Sequence, residues 1–221
     1  MIILLFGPPG CGKGTQAAHL AQRLKIPAIS TGEVFRAECQ AGTPLGKQAC
    51  SIMANGGLVG DDIVNGIVAN RIAKPDCACG FLLDGYPRTV AQAMYLATLL
   101  RERGLPDPIV IHLKVCADAL VKRLTARRQC PECRRIYNLL SQPPRRDGVC
   151  DDDGAPLLTR DDDQEPVIRR RLEAYREQTG PVLDWYGIPV VQTVDGAAPP
   201  DEVGRSIERV VSQMDCVGQA C

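Results

Sequence analysis

The chain has 221 residues, enough for one sizeable hydrophobic core with one or two excursions from it. Its 26 basic and 26 acidic residues cancel, so no global field draws it to nucleic acid or to a membrane surface. No apolar run approaches the ~20 residues of a membrane span, and Met-Ile-Ile-Leu-Leu-Phe at the start lacks the basic region of a signal peptide. The 11 cysteines are sparser than in a disulfide scaffold, and two stand as Cys-x-x-Cys. That argues for metal before disulfide and for a reducing, cytoplasmic setting.

Ile2–Phe6 reads as a buried strand. Gly7-Pro-Pro-Gly-Cys-Gly-Lys-Gly-Thr15 follows it with the spacing of a phosphate-binding loop: Gly7, four residues, then Gly12 and Lys13. Glycines let backbone N–H groups turn inward around phosphate oxygens. Lys13 adds a point charge, and the helical pattern Lys13–Leu24 adds a positive helix end. Gly14 stands where most such loops carry Ser or Thr for magnesium, and the hydroxyl arrives one place later at Thr15. The competing reading is a tight strand-to-helix turn.

Pro27–Ser30 is the second strand pattern. Ser30 and Glu33 have capping-box spacing, so they start a helix. Arg36 on that helix can fork onto a phosphate or lie in solvent. Residues 30–59 hold two short helical patterns punctuated by Gly42, Gly46, Gly56 and Gly57, and read as an inserted subdomain. A helix over Asp61–Ala73 precedes the strand Phe81–Leu83. Asp84 ends that strand, where phosphate-loop enzymes place the acid that orders magnesium. Gly85 and Pro87 shape a turn, Arg88 comes out of it, and a helix runs over Thr89–Arg103. Thr89 and Gln92 match a second capping box, while the Gln92 amide could equally pair with the edge of a purine.

After the strand Ile109–Val115, a helix over Asp118–Arg127 places Arg123 and Arg127 four apart on one face. They repel there unless a polyanion compensates or both extend into solvent. Residues 126–163 are rich in Pro, Asp and Cys and read as a second inserted subdomain. Cys130-Pro-Glu-Cys133, then 16 residues, then Cys150-Asp-Asp-Asp153 has the spacing of a four-ligand zinc site with aspartate in the fourth place. Asp151 and Asp152 compete with Asp153 for that place, and three free thiols in an acidic loop is the alternative. The run Asp161–Asp163 reads as a solvated face. On the helix Gln164–Trp185, the stripe Ile168, Leu172, Tyr175 marks the inward side, with Arg171 on its edge and Arg169 and Arg170 outside. Pro189–Val194 and Asp201–Met214 complete the alternation. Short, continuous apolar strands between helices predict an α/β fold, a doubly wound parallel five-stranded sheet of the P-loop NTPase type, with ligands beyond the carboxyl ends of the strands.

With these motifs in place the chain resembles the adenylate kinases of the bacterial, long-lid, zinc-bearing form. The resemblance rests on Gly-Pro-Pro-Gly-Cys-Gly-Lys-Gly-Thr-Gln16, Ser-Thr-Gly-Glu-Val-Phe-Arg36, Phe-Leu-Leu-Asp-Gly-Tyr-Pro-Arg-Thr-Val-Ala-Gln92, the metal quartet of three cysteines and an aspartate, and Thr-Arg-Asp-Asp-Asp163 with Arg171. It implies a core of 1–29, 60–125 and 164–221, a monophosphate-binding insert at 30–59 and a mobile zinc-bearing lid at 126–163. It implies that Gly10, Cys11, Gly12, Lys13, Gly14, Thr15, Arg123, Arg127, Ile136 and Tyr137 hold ATP, with a backbone contact to adenine at Ala198. Thr31, Arg36, Gly57, Leu58, Val59, Gly85, Arg88 and Gln92 would hold AMP. Arg160 and Arg171 would bridge the phosphates, and Lys13, Arg88, Arg127, Arg160 and Arg171 would surround the transferring group, with Mg2+ ordered through Asp84. Structural zinc would sit on Cys130, Cys133, Cys150 and Asp153.

The expected activity is ATP + AMP to 2 ADP in a monomer that needs neither nucleic acid nor membrane. Gly60 before Asp61-Asp62, Asp153 and the Ala197-Ala198 pair depart from the commonest pattern. The segment after Met214, with Cys216 and Cys221, has no usable counterpart. Rival readings are a kinase for UMP/CMP or with GTP as donor, against which Thr31 favours AMP, and a non-catalytic P-loop module whose zinc ribbon binds nucleic acid.

Overall fold

The computed structural model describes residues 1–218. The chain begins with β1 (Ile2–Phe6), α1 (Lys13–Leu24) and β2 (Ala28–Ser30), then the helical pair α2 (Thr31–Ala41) and α3 (Pro44–Ala54). It continues through α4 (Asp61–Ile72), β3 (Phe81–Asp84), α5 (Val90–Glu102), β4 (Ile109–Lys114) and α6 (Ala117–Thr125). Two short strands, β5 (Arg127–Gln129) and β6 (Ile136–Asn138), pair antiparallel; α7 (Glu165–Ala174), α8 (Gly180–Tyr186), β7 (Val191–Asp195) and α9 (Pro200–Gly218) follow.

Five parallel strands form the central sheet in the order β2-β3-β1-β4-β7. Their apolar runs are continuous because both faces are covered. Ile2, Leu4 and Phe6 pack with Phe81, Leu83 and Val110 beneath α4 and α5. Ile3 and Leu5 pack with Leu82, Ile111 and Leu113 beneath α1 and α9. Each such aliphatic side chain contributes about 1.5–3 kcal/mol by leaving water. The core thereby fixes the carboxyl ends of β1, β2 and β3 side by side. No described helix is long and apolar enough to cross a membrane.

Two excursions leave this core. Thr43 caps α3 by accepting from the Gly46 N–H at 2.9 Å, and α3 folds back on α2 so closely that a Cβ on Gly46 would stand 2.0 Å from the Glu38 carbonyl. The sulfurs of Cys39 and Cys50, which spacing did not single out, are bonded between these two helices. The second excursion carries β5, β6 and a small cluster of Cys130, Tyr137 and Cys150.

The structure differs from the sequence reading in three places. α6 ends at Thr125, so Arg127 is not on the helix of Arg123 but opens β5. The helix expected over Gln164–Trp185 is broken by a π turn at Tyr175–Thr179, where the Gly180 N–H donates to the Tyr175 carbonyl. Of the acidic run, Asp162 and Asp163 are buried, not solvated. Cys221 lies outside the described residues.

Candidate functional site

A cavity of about 1040 Å³ opens beyond the carboxyl ends of the strands. Every nucleotide and phosphoryl candidate named from the sequence lines it, from Gly10 through Arg171 and Ala198. None of the four metal candidates does.

The floor is the phosphate loop. Lys13 donates to the Gly7 and Pro8 carbonyls of its own loop at 2.6 and 3.1 Å. Gly14 faces Asp84: a Cβ there would lie 3.7 Å from the Asp84 carboxylate. A Ser or Thr at this position would project in front of the acid, so the glycine leaves the Asp84 oxygens open to the cavity. Cys11 is buried below the loop, and burial pushes its thiol up against the opposing pull of Lys13. It therefore stays a neutral packing group.

Arg88 dominates the centre. Gly85, with φ +79°, lets the chain turn so tightly that a Cβ on it would meet the Arg88 guanidinium at 2.9 Å. Arg88 Nε donates to the Gly85 carbonyl at 2.8 Å, and Thr31 Oγ1 donates to the same oxygen at 3.0 Å. No ion pair among the described residues includes Arg88. Burial, then Arg171, lowers its proton affinity. The backbone is held at both ends: Arg88 N–H donates to Gln92 Oε1 at 2.7 Å, and its carbonyl accepts from Thr179 Oγ1 at 3.0 Å. Thr179 reaches it from the π turn, a local distortion common at functional sites.

Around Arg88 stand guanidiniums from separate elements. Arg36 and Arg160 both donate to the Glu33 carboxylate, the latter at 3.2 Å, and Arg134 lies 3.8 Å from it. Arg127 forks onto Asp163 through two bonds of 2.7 and 2.6 Å. Arg171 lies 3.0 Å from Asp162 and 3.4 Å from Asp163. Burial lowers the pKa of Arg160 and Arg171, and repulsion from Arg127 and Arg36 adds to it in both. Burial alone would raise Glu33, but Arg36, Arg160 and Arg134 overrule it and hold the carboxyl below its ordinary range. Asp162 is held low in the same way, chiefly by Arg171. Such a crowd of cations suits a polyanion. Sequence reasoning missed Glu33, Arg134, Asp162 and Asp163 as members; Glu33 looked like a helix cap, and Ser30 Oγ does accept from its N–H at 3.4 Å.

At the far end, Arg123 donates to the Gly196 and Ala197 carbonyls at 2.7 and 3.0 Å, which fixes the backbone that leads to Ala198. In the second excursion the ligand atoms of Cys130, Cys133, Cys150 and Asp153 all lie within 4.8 Å of one another. Cys133 Sγ is 3.5 Å from Cys150 Sγ, and Cys130 Sγ is 3.2 Å from Asp153 Oδ2. A tetrahedral zinc with ~2.3 Å bonds to sulfur separates its ligands by about 3.5–3.8 Å, so three thiols and a carboxylate fit that ion. The competitors face elsewhere. Asp151 Oδ1 accepts from the Arg145 N–H at 2.8 Å, and Asp152 pairs with Arg135.

The family model for adenylate kinase matches residues 5–189, the strand, loop and arginine-bearing elements described above. The chain belongs to the adenylate kinase family. Full-length relatives agree: an adenylate kinase of Trichlorobacter lovleyi is 52% identical over 186 residues, 84% of this chain and 87% of its own length. Those of Methanococcoides burtonii and Anaeromyxobacter sp. are 44% and 45% identical, each over 96% of this chain and at least 99% of the relative. Membership makes the protein a nucleoside monophosphate kinase, a phosphotransferase.

Proposed function

We propose that the cavity binds ATP and AMP end to end and transfers one phosphoryl group between them, reversibly, to give two ADP. The carrying observation is Arg88, a cavity guanidinium with no carboxylate partner among the described residues, ringed by Arg36, Arg127, Arg160 and Arg171. A polyphosphate supplies the missing negative charge.

In this reading the loop Gly10–Thr15 and Lys13 hold the ATP phosphates, with Arg123, Arg127, Ile136, Tyr137 and the Ala198 backbone around the adenosine. Thr31, Arg36, Gly57, Leu58, Val59, Gly85, Arg88 and Gln92 hold AMP. The attacking AMP oxygen is already anionic, so no general base is needed and catalysis is positioning plus charge stabilisation. Lys13, Arg88, Arg127, Arg160 and Arg171 face the equatorial oxygens as charge spreads over them. Glu33 releases Arg36 and Arg160 to the phosphates as substrates enter. Closing 126–163 over 30–59 excludes water and so suppresses hydrolysis. Magnesium, which adenylate kinases use with ATP, would neutralise charge on the phosphates, and the oxygen donors at Asp84 and Thr15 suit its hard, water-retaining coordination. Zinc on Cys130, Cys133, Cys150 and Asp153 would be structural, since four protein ligands leave no open position. One chain builds the whole cavity, which supports a monomer as the working unit.

The test is steady-state turnover across donors and acceptors. ATP with AMP should give ADP with the highest kcat/KM, and Lys13→Ala or Arg88→Ala should lower kcat without unfolding. Equal or better turnover with GTP, UMP or CMP would redirect the assignment within the phosphotransferases.

A further inference from the structure

Asp61 is the first residue of α4, outside the cavity lining, and the phosphoryl mechanism gives it no task. Its carboxylate nonetheless reaches across to α5. Oδ2 accepts from the Thr89 hydroxyl at 2.8 Å, and Oδ1 accepts from Gln92 Nε2 at 2.7 Å. The other end of the same amide, Gln92 Oε1, accepts from the Arg88 N–H at 2.7 Å. Gln92 is 1% exposed. Its amide is thus clamped between a group that can only accept and a group that can only donate. Rotating it by 180° would set Oε1 against a carboxylate and Nε2 against an N–H, two repulsions at a buried site.

The clamp has a chemical consequence. A carboxamide offers two N–H groups and two oxygen lone pairs. Asp61 and Arg88 use one of each and leave one of each for the cavity that Gln92 lines. The 6-amino purine edge presents a donor at N6 and an acceptor at N1, which a fixed amide meets with Oε1 and Nε2 respectively. The 6-oxo edge of hypoxanthine presents an acceptor at O6 and a donor at N1, the same positions with the signs exchanged, and would need the amide flipped.

We propose that Asp61 is a specificity-determining positioning residue: by locking the Gln92 amide in one orientation it makes the acceptor site select a 6-amino over a 6-oxo purine monophosphate. This rests on the reading that Gln92 faces the acceptor base. Asp61 touches no substrate and acts only through Gln92.

The experiment measures kcat and KM for AMP and for IMP, with ATP as donor, in the full-length protein and in Asp61→Ala, Asp61→Asn and Gln92→Ala. Losing one charge-assisted hydrogen bond from the lock should lower the AMP/IMP ratio of kcat/KM about tenfold or more in Asp61→Ala. The change should lie mainly in the two acceptor KM values, with the KM for ATP unmoved. Asp61→Asn, whose own amide can turn its oxygen to Gln92 Nε2, should restore most of the ratio. A folded Asp61→Ala with an unchanged ratio overturns the proposal, as does a loss of kcat equal for both acceptors. If Gln92→Ala also leaves the ratio unchanged, the reading of Gln92 itself fails; if Gln92→Ala collapses the ratio and Asp61→Ala does not, only the lock fails. Should Asp61→Ala not fold, Thr89→Val removes the hydroxyl that steadies Asp61 and must shift the ratio in the same direction. No shift there counts against the proposal.

Discussion

Replacing Asp163 with asparagine tests whether the arginine cluster is held together by its carboxylates. The Asp163 side chain is fully buried, accepts both arms of Arg127 at 2.7 and 2.6 Å, and lies 3.4 Å from Arg171. Asparagine keeps the shape but turns one acceptor into a donor that faces a guanidinium. Two buried cations then lose their shared counter-charge. Breaking a buried pair from one side costs about 3 kcal/mol or more. In a chain of this size each kcal/mol is worth about 2–4 °C, so the variant should melt about 6–12 °C below the parent. Thermal unfolding followed by circular dichroism, at fixed protein concentration with and without ATP and AMP, reads the shift. Nucleotide phosphates should narrow the gap, because they supply the charge the variant has lost. A melting temperature within about a degree of the parent, with no nucleotide-dependent difference, would refute the claim that Asp163 neutralises this cluster.

Lys13→Ala and Arg88→Ala should each lower kcat by about 10²–10³, the cost of a lost charge stabiliser in the transition state, with melting behaviour near that of the parent; near-normal turnover would remove them from the phosphoryl path. Chelation of a zinc-loaded sample should lower the melting temperature while leaving little effect on kcat below that transition, and Cys130→Ser should reproduce the loss. Unchanged melting after verified metal removal would exclude a structural metal. Glu33 and Asp162 both titrate below their ordinary values in the folded chain. The stability they add is therefore fully present above about pH 4.5, the ordinary value for Glu33, and is lost as pH falls below it. Urea midpoints measured from pH 7 down to 3 should show that loss, and Glu33→Gln with Asp162→Asn should flatten it.

The strands were legible because a sheet covered on both faces needs unbroken apolar runs, and Ile2 to Phe6 alternates between the two cores residue by residue. The phosphate loop and the Asp84–Arg88 turn were legible because glycine spacing is dictated by local backbone geometry. What escaped depends on distant partners. Asp162 and Asp163 look like any acidic surface run until Arg127 and Arg171, from two other elements, fold over them. The spacing of Arg123 and Arg127 fits a helical face, yet the chain leaves the helix at Ala126 and enters a strand. Gln92 carried two readings, a helix cap and a purine contact. The structure gives its backbone N–H to the Thr89 cap at 3.1 Å while its side-chain amide turns to Arg88 and Asp61.

The π turn at Tyr175–Thr179 lets the helix carry one more residue than a regular α-helix would over the same span. Five residues there close one turn, and Thr179 leaves it aimed at the Arg88 carbonyl while Val182, three residues on, is fully buried. Four residues of ordinary α-helix, at about 100° each, sweep nearly the same angle. The wider turn therefore takes up one extra residue without turning the face that follows. An extra residue in a regular α-helical stretch would instead rotate everything downstream by about 100° and swing Val182 out of the core. The π turn is thus the device by which the chain brings the Thr179 hydroxyl to the Arg88 carbonyl and still returns Val182 to the core.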